Sequence, residues 1–342
     1  MKIGVVGDIH WSRYSSIVRL RGEVYSYRLE NCIKSVNWAE QLLSNCDVIV
    51  YLGDFFDSSE LNSEEITALK DIVWNNVPHY FLVGNHEMGI NNLSYSSSHL
   101  FSYINTPSHN NVVVDFPQSQ KIEDVTLHFI PYILEEQRKP IAQTISTNSD
   151  TKNIIFSHND LAGIQLGKYL STQGFNLQDI DNSCDLYFNG HLHNGGKITD
   201  KIINVGNLTG QNFSEDAFNY KHSAIILDTE TMSSAVYDNP YALNFYKLDL
   251  CESEYDLSSF TSPSVLTIKL EENQYDKYVD QVEHNSNIIA HRFIIVQTQS
   301  EDNSVNNKEI IAVNHLDKFK NYVLETLGTS DLVLGEIEEV IK

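Results

Sequence analysis

The chain has 342 residues, of which 41% are hydrophobic and 20% are charged, and its formal net charge is −23. This composition predicts a soluble globular protein with a full α/β core and room for smaller modules, and no apolar run is long enough to span a bilayer. The acidic balance repels polyanions, so nucleic-acid binding would need a basic patch, bound cations or a partner subunit. Since the N-terminus also carries no basic-then-apolar signal, we expect a cytoplasmic protein.

In the first part of the chain, short apolar runs typical of strands alternate with helical patterns. Asn62 with Glu65 three residues later predicts a capping box at the start of the second helix. The order strand, helix, strand, helix, strand predicts a parallel or mixed sheet with right-handed crossovers. The predicted strands span residues 2–6, 48–52 and 80–83, and the predicted helices span residues 29–43 and 66–73.

After about Asn111 the pattern changes to closely spaced strands with few helical connections. This change predicts a second sheet packed on the first, and therefore a four-layer α/β/β/α sandwich rather than a doubly wound single sheet. The predicted strands span residues 111–116, 125–132, 153–156, 185–188, 201–205 and 223–228.

Asn239-Pro240 is the best predicted domain boundary. We therefore expect a main domain over residues 1–240 and a small αβ module over residues 241–300, built as strand, helix, strand. Residues 301–342 are expected to form a polar linker and then an amphipathic helix, whose apolar positions include Leu316, Phe319, Tyr322, Val323 and Leu327.

Five of the predicted strands end in side chains that bind metals. Because ligands collect beyond the carboxyl ends of strands in α/β sheets, we expect these side chains to gather in one crevice. The candidate ligands are Asp8, His10, Asp54, Asn85, His158, His191 and His193.

The chemistry of this set points to a pair of ions. Seven donors are too many for one ion, and mixed oxygen and nitrogen donors without thiolate favour manganese, iron(II) or zinc over calcium. Two ions about 3.5–4 Å apart would polarise a phosphoryl group and generate hydroxide, so we expect hydrolysis of a phosphate ester. Each motif alone has an ordinary alternative as a helix cap, an exposed strand or a turn, but their joint occurrence at strand ends makes coincidence implausible.

A cluster of arginines follows the first motif, with only two acidic residues nearby. It has two open interpretations: a basic patch that contacts DNA, or a solvated loop and helix start. The arginines are Arg13, Arg19, Arg21 and Arg28, and the acidic residues are Glu23 and Glu30.

The motifs Gly7-Asp8-x-His10, Gly53-Asp54-x-x-Asp57, Gly84-Asn85-His86-Glu87, His158 and Gly190-His191-x-His193 resemble the calcineurin-like metallophosphoesterase signature. They span most of residues 1–240, and the resemblance implies the same two-sheet sandwich. It also implies two Mn²⁺ ions, with Mg²⁺ as a possible substitute. Asp8, His10, Asp54 and His193 would hold one ion, and Asp54, Asn85, His158 and His191 the other, with Asp54 as the bridge. His86 would contact the scissile phosphate and stabilise charge or protonate the leaving oxygen, with Asp8 orienting it.

The tail after Pro240 is similar to the capping domain and ATPase-binding helices of SbcD-type nuclease subunits. The lean chain with its short catalytic domain is most similar to phage-encoded members. This resemblance implies a manganese-dependent DNA exonuclease and endonuclease in recombination, repair or DNA degradation. The expected partners are DNA and a large SbcC-type coiled-coil ATPase, in a heterotetramer that contains a homodimer of this chain formed through residues 11–45 or 91–105. A phage-encoded protein would act in the host cytoplasm.

Three positions depart from that pattern. Glu87 stands where the nucleases usually have Asp, and Asn-His-Glu is the pattern of protein Ser/Thr phosphatases. Asp57 replaces a histidine that assists exonuclease action in many cellular members. Asn189 replaces the more usual small serine. One alternative is therefore a protein or small-molecule phosphoesterase, although Ser58 and Ser59 stand where protein phosphatases carry Arg-Gly. A second alternative is a non-catalytic scaffold, against which the complete ligand set argues.

Overall fold

The computed structural model describes residues 1–15, 18–88, 97–107, 110–147, 149–166 and 169–296, and the backbone of one strand at Ile310–Val313. The predicted amphipathic helix and the first part of the predicted dimer segment 91–105 lie outside these residues. The chain divides into two compact units, Met1–Phe245 and Tyr246–Lys342. The predicted boundary at residue 240 lies close to this division.

Among the described residues most strands are short, and the helices are few. In chain order the strands are β1 (Lys2–Val6), β2 (Val48–Tyr51), β3 (His79–Leu82), β4 (Asn111–Val114), β5 (Gln118–Ile122), β6 (Val125–Ile130), β7 (Lys152–Ser157), β8 (Leu161–Ala162), β9 (Gln165–Leu166), β10 (Tyr169–Leu170), β11 (Phe175–Asn176), β12 (Leu186–Asn189), β13 (Gly196–Lys197), β14 (Ile202–Asn204), β15 (Ser223–Asp228), β16 (Ser233–Asp238), β17 (Asn244–Asp249), β18 (Ser264–Glu271), β19 (Ile288–Val296) and β20 (Ile310–Val313). The α-helices are α1 (Tyr27–Leu42), α2 (Ser63–Ala68), α3 (Ile141–Thr144), α4 (Leu177–Ser183) and α5 (Tyr275–Glu283). Within the described parts of the chain, no helix has the length and apolar character needed to cross a membrane.

The first unit contains two six-stranded mixed sheets. The first sheet has the order β16-β15-β1-β2-β3-β4, in which β1 to β4 are parallel, β15 is antiparallel to β1, and β16 is antiparallel to β15. The second has the order β13-β14-β12-β7-β6-β5, with parallel central strands and antiparallel edges. Such mixed sheets keep the carboxyl ends of their parallel strands at one edge.

Three hydrophobic clusters define four layers. One buried cluster contains Val5 from β1 and Phe156 from β7, so it fills the space between the two sheets. Another packs α1 residues such as Val36 onto the outer face of the first sheet. A third packs Ile141 and Ile180, from α3 and α4, onto the second sheet. The predicted α/β/β/α sandwich is therefore confirmed.

The predicted strands and helices of the first unit are found where the sequence is apolar and periodic. The capping box is present, because Asn62 accepts from the Glu65 N–H and Glu65 accepts from the Asn62 N–H. Helix α2 is shorter than predicted and continues as a 3₁₀ turn at Leu69–Asp71. The edge strands β5 and β16 were not predicted, because their residues are mostly polar or exposed.

The second unit contains a four-stranded sheet in the order β17-β18-β19-β20. Strands β18 and β19 are parallel, and β20 pairs antiparallel with β19. Helix α5 connects β18 to β19, as the predicted strand, helix, strand module requires, and buries Tyr278 and Val282.

Candidate metal centre

The strand ends bring the predicted ligands together. Strands β1, β2 and β3 are neighbours in the first sheet, and β7 and β12 are neighbours in the second. Their carboxyl ends therefore deliver side chains into one crevice. Three overlapping groups have ligand atoms that lie within 4.8 Å of one another: Asp8, His10 and His193; His10, Asp54 and His86; and Asp54, His158 and His191.

The backbone at these positions is strained. His10, Asp54 and His191 have positive φ angles of 49°, 46° and 72°, a region that non-glycine residues seldom adopt and that is concentrated at functional sites. Gly53 also has a positive φ of 107°, and a Cβ atom there would lie 2.5 Å from His158 Nδ1. The glycine before Asp54 thus lets an imidazole pack against the backbone.

The first ligand group contains two imidazoles that face each other. His10 Nε2 lies 2.9 Å from His193 Nε2. Asp8 Oδ2 is buried and has no hydrogen-bond partner. Facing ring nitrogens beside an unpartnered carboxylate oxygen are what a divalent cation requires, so these residues fit one ion.

The second group is arranged around Asp54 and Asn85. His158 Nε2 lies 3.2 Å from Asp54 Oδ2 and 3.2 Å from Asn85 Oδ1. His191 Nδ1 lies 2.9 Å from the same amide oxygen. Asp54 Oδ2 is also 4.0 Å from His10 Nε2, so this carboxylate reaches both groups and the residues fit two ions with Asp54 between them.

A fixed acceptor holds the second ring nitrogen of each of the four imidazoles. This arrangement sets the tautomer and orientation of a histidine that binds metal through its other nitrogen. The pairs are His10 Nδ1 with Asp57 Oδ1 (3.0 Å), His158 Nδ1 with the Leu52 carbonyl (2.8 Å), His191 Nε2 with Asp160 Oδ1 (3.0 Å), and His193 Nδ1 with Glu215 Oε1 (3.0 Å). Sequence reasoning missed Asp160 and Glu215, since neither belongs to a recognisable motif.

Opposite charges at close range govern ionisation here. Burial alone would raise the pKa of Asp54, but the adjacent His158 and His10 hold it below its ordinary range. Burial alone would lower the pKa of His158, but the Asp54 and Asp8 carboxylates raise it to about 9. The crevice therefore keeps Asp54 anionic and available to cations.

Glu87 supports the loops rather than facing the crevice. Its Oε2 accepts hydrogen bonds from the Gly84 N–H (2.6 Å) and the Asp54 N–H (3.2 Å), and its Oε1 accepts from the Phe56 N–H (2.9 Å). The carboxylate is fully buried, and burial raises its pKa to about 8. Glu87 thus ties the second and third motifs together.

His86 is the most accessible imidazole of the site, with a side chain that is 40% exposed. Its Nδ1 donates to the Asp57 carbonyl (2.9 Å) and lies 3.5 Å from Asp57 Oδ1. The residue that orients His86 is therefore Asp57. The prediction that Asp8 orients it is wrong. Asp8 Oδ1 instead accepts from the His191 N–H (3.1 Å).

The predicted arginine cluster separates into two parts. Arg13, Arg19 and Arg21 are exposed and line a pocket of about 220 Å³ with Tyr14. Arg28 is 0% exposed, and its guanidinium donates to backbone carbonyls. Its prediction as a DNA contact is therefore wrong, because a buried, hydrogen-bonded guanidinium cannot reach a phosphate.

A larger pocket of about 620 Å³ adjoins the centre. His191 and His193 form part of its wall, and Asn194, Lys197 and Tyr220 form another part. It offers space for a group attached to a phosphate at the metal ligands.

The four-layer fold and the paired ligand groups define a metallophosphoesterase, a metal-dependent phosphoester hydrolase. The chain belongs to the calcineurin-like phosphoesterase family, whose model matches residues 1–195. Among curated proteins, none matches the chain.

Solved structures that align with the chain include three from different organisms. A protein from Thermus thermophilus has 9% identity and a TM-score of 0.39, with 69% of this chain and 98% of that chain covered. A protein of unknown function from Aquifex aeolicus has 15% identity and a TM-score of 0.28, with 56% and 79% covered. A dimetal phosphatase from Danio rerio has 12% identity and a TM-score of 0.39, with 70% and 98% covered.

Proposed function

We propose that the protein hydrolyses phosphodiester bonds in DNA, as the nuclease subunit of an SbcC/SbcD-type complex. The observation that carries the hydrolytic part is the pair of ligand groups that Asp54 connects, since its Oδ2 lies 4.0 Å from His10 Nε2 and 3.2 Å from His158 Nε2. The exposed ring of His86 lies beside them. When bound, two Mn²⁺ ions at these groups would polarise the phosphoryl group and supply hydroxide at neutral pH.

His86 acts on the leaving side of the phosphate. Because its Nδ1–H donates to the Asp57 carbonyl, the Nε2 side of the ring is left for the substrate. The Asp57 carboxylate lies 3.5 Å from the same ring nitrogen. His86 therefore stabilises charge on the phosphate or donates a proton to the departing oxygen.

DNA is supported as the substrate by the surface next to the first motif. Arg13 and Arg19 are exposed, and their guanidinium groups lie 4.9 and 5.8 Å from the Tyr14 ring centroid. Cations beside an aromatic ring suit a phosphate backbone and an unstacked base. The hydrogen bonds of Glu87 to backbone N–H groups give it a structural role that does not depend on the substrate, so Glu87 favours neither DNA nor a phosphoprotein.

The net charge of −23 supports a partner that supplies further phosphate-binding surface. We infer that this partner is a large SbcC-type coiled-coil ATPase, and that two copies of the chain form a homodimer within a heterotetramer. The resemblance of residues 241–342 to SbcD-type tails supports this assembly. The similarity of the lean chain and short catalytic domain to phage-encoded members supports a phage origin and action in the host cytoplasm.

A second candidate function is hydrolysis of a small phosphoester. The pocket of about 620 Å³ beside His191 and His193 favours it, since a cavity of this size accommodates a compact ligand. Incubation of the purified protein and Mn²⁺ with linear duplex DNA, single-stranded DNA, bis-p-nitrophenyl phosphate and a phosphopeptide separates the two. Degradation of DNA supports the nuclease, whereas turnover of the small ester or phosphopeptide without DNA cleavage contradicts it.

His86→Ala is the control for catalysis. Its exposed side chain predicts a folded protein whose activity falls by about 10²–10⁴-fold. An inactive parent would instead favour the non-catalytic scaffold. The partner is tested by co-purification with the candidate ATPase, followed by a DNA degradation assay with and without ATP; absence of binding would refute the SbcC/SbcD assignment while leaving the phosphoesterase.

A further inference from the structure

The segment Asn207–Glu215, which lies beyond the region matched by the family model, is hydrogen-bonded to the backbone of the candidate centre. Leu208 donates its N–H to the Asp8 carbonyl (2.8 Å), and Asn207 donates its N–H to the His193 carbonyl (3.2 Å). The segment is thereby fixed to two of the strand ends that carry predicted ligands.

Glu215 is the polar residue around which this segment folds. Only 4% of it is exposed, although a buried carboxylate is costly without donors. Four donors converge on its Oε1: the N–H groups of Gln211 (2.8 Å) and Asn212 (3.1 Å), Asn207 Nδ2 (2.9 Å) and His193 Nδ1 (3.0 Å).

Gln211 extends the same network to a second imidazole. Its Nε2 donates to Asp57 Oδ1 (3.1 Å), and that oxygen also contacts His10 Nδ1 (3.0 Å). The segment therefore reaches both histidines of the first ligand group, directly through Glu215 and indirectly through Asp57.

We propose that Glu215 and Gln211 are positioning residues that set the affinity of the first of the two metal sites. Glu215 holds a proton on His193 Nδ1, which leaves the Nε2 lone pair facing His10 Nε2 and free to bind an ion there. Its charge also makes the imidazole a stronger ligand. Gln211 acts in the same way through Asp57. The inference rests on the two-ion centre of the proposed function, but not on DNA as the substrate.

Glu215→Gln removes the negative charge of Glu215 while retaining an acceptor for the hydrogen bonds that fold the segment. The new side chain keeps an acceptor oxygen for the N–H groups of Gln211 and Asn212. Its amide nitrogen replaces the buried, unpartnered Oε2, which lies 3.9 Å from His222 Nε2. Because His222 Nδ1 hydrogen-bonds the Asn207 carbonyl, His222 Nε2 is an acceptor that can face this amide. We therefore expect a folded protein that has lost only the charge beside His193.

The experiment is titration calorimetry of the full metal-free chain with Mn²⁺. The parent is expected to bind two ions, and in Glu215→Gln one affinity falls by about 10–100-fold while the other is unchanged. The melting temperature of the metal-free variant should equal that of the parent. Glu254→Gln removes the same charge from an exposed position paired with Lys277 and should leave both affinities unchanged.

Parent-like affinity for both ions in Glu215→Gln, or an equal loss at both sites, would overturn the inference. If Glu215→Gln does not fold, Gln211→Met decides, because it removes the bond to Asp57 but keeps the backbone N–H to Glu215. A smaller loss at one site supports the inference, and no loss contradicts it. Failure of the parent itself to bind two ions would instead remove the proposed function.

Discussion

Arg28→Met tests the structural role that replaces the predicted DNA contact. The Arg28 guanidinium donates to the carbonyls of Gly210 (2.8 Å) and Ile9 (2.9 Å), with a longer contact to the His10 carbonyl (3.4 Å). It thereby connects the first motif to the segment that carries Glu215. Methionine fills similar space but has no donors, so the Gly210 and Ile9 carbonyls would be left buried without partners.

Each buried carbonyl that loses its partner costs roughly 1–3 kcal/mol. Methionine also avoids the cost of burying a charge, which offsets part of the loss. We therefore expect the free energy of unfolding to fall by about 3 kcal/mol for the two carbonyls. For a unit of this size, that corresponds to a decrease in melting temperature of roughly 6–12 °C.

The assay is urea denaturation of the full chain, with unfolding monitored by circular dichroism. Arg19→Ala is the matched control, because Arg19 is exposed and contacts the Tyr14 ring, an interaction worth about 0.5–1 kcal/mol. An Arg28→Met protein as stable as the parent, with reduced affinity for DNA, would refute the buried role and restore the surface contact.

Three further predictions concern the ligands, pH and the metal. Asp160→Asn weakens the partner of His191 Nε2, so Mn²⁺ affinity at one site should fall by about 10–100-fold in calorimetry. Burial lowers the pKa of His128, so below about pH 6.5 the unfolded state binds a proton that the folded state does not. The free energy of unfolding should therefore decrease as the pH is lowered through that range, and decrease less steeply in His128→Gln, as measured by urea midpoints. EDTA should lower the melting temperature and Mn²⁺ restore it, because an ion at 100 times its Kd adds about 2.7 kcal/mol to the folded state.

Each of these has a clear contrary result. Unchanged calorimetry for Asp160→Asn would mean that His191 needs no carboxylate partner. Equal acid slopes for His128→Gln and the parent would assign the pH dependence to other groups. A melting temperature insensitive to EDTA in protein loaded with Mn²⁺ would argue that the ions do not bind the folded centre selectively.

Local signals in the sequence were enough to place the predicted ligands at strand ends. Gly53 and Gly84 end apolar runs, and the polar residues after them fall at the carboxyl ends of neighbouring parallel strands. The four-layer architecture followed from the change in strand spacing after Asn111. These features depend on neighbours in the sequence, which periodicity and turn chemistry can reveal.

The remaining features depend on contacts between distant segments. Arg28 resembles a surface cation in sequence, and only its bond to the Gly210 carbonyl, 182 residues away, makes it an interior residue. Glu215 lies 22 residues after His193 in no motif, and tertiary folding alone brings them together. In the sequence motif, Glu87 is the residue typical of protein phosphatases. In the structure it accepts hydrogen bonds from three backbone N–H groups, which give it a structural role.

The central claim is that ligands from five strand ends bind two divalent ions with Asp54 between them. Crystals grown with excess Mn²⁺ and measured for anomalous scattering test it most directly. We predict two peaks about 3.5–4 Å apart, one beside His10 and His193 and the other beside His158 and His191, with Asp54 in contact with both. A single peak, or none, in the presence of excess Mn²⁺ would contradict the account.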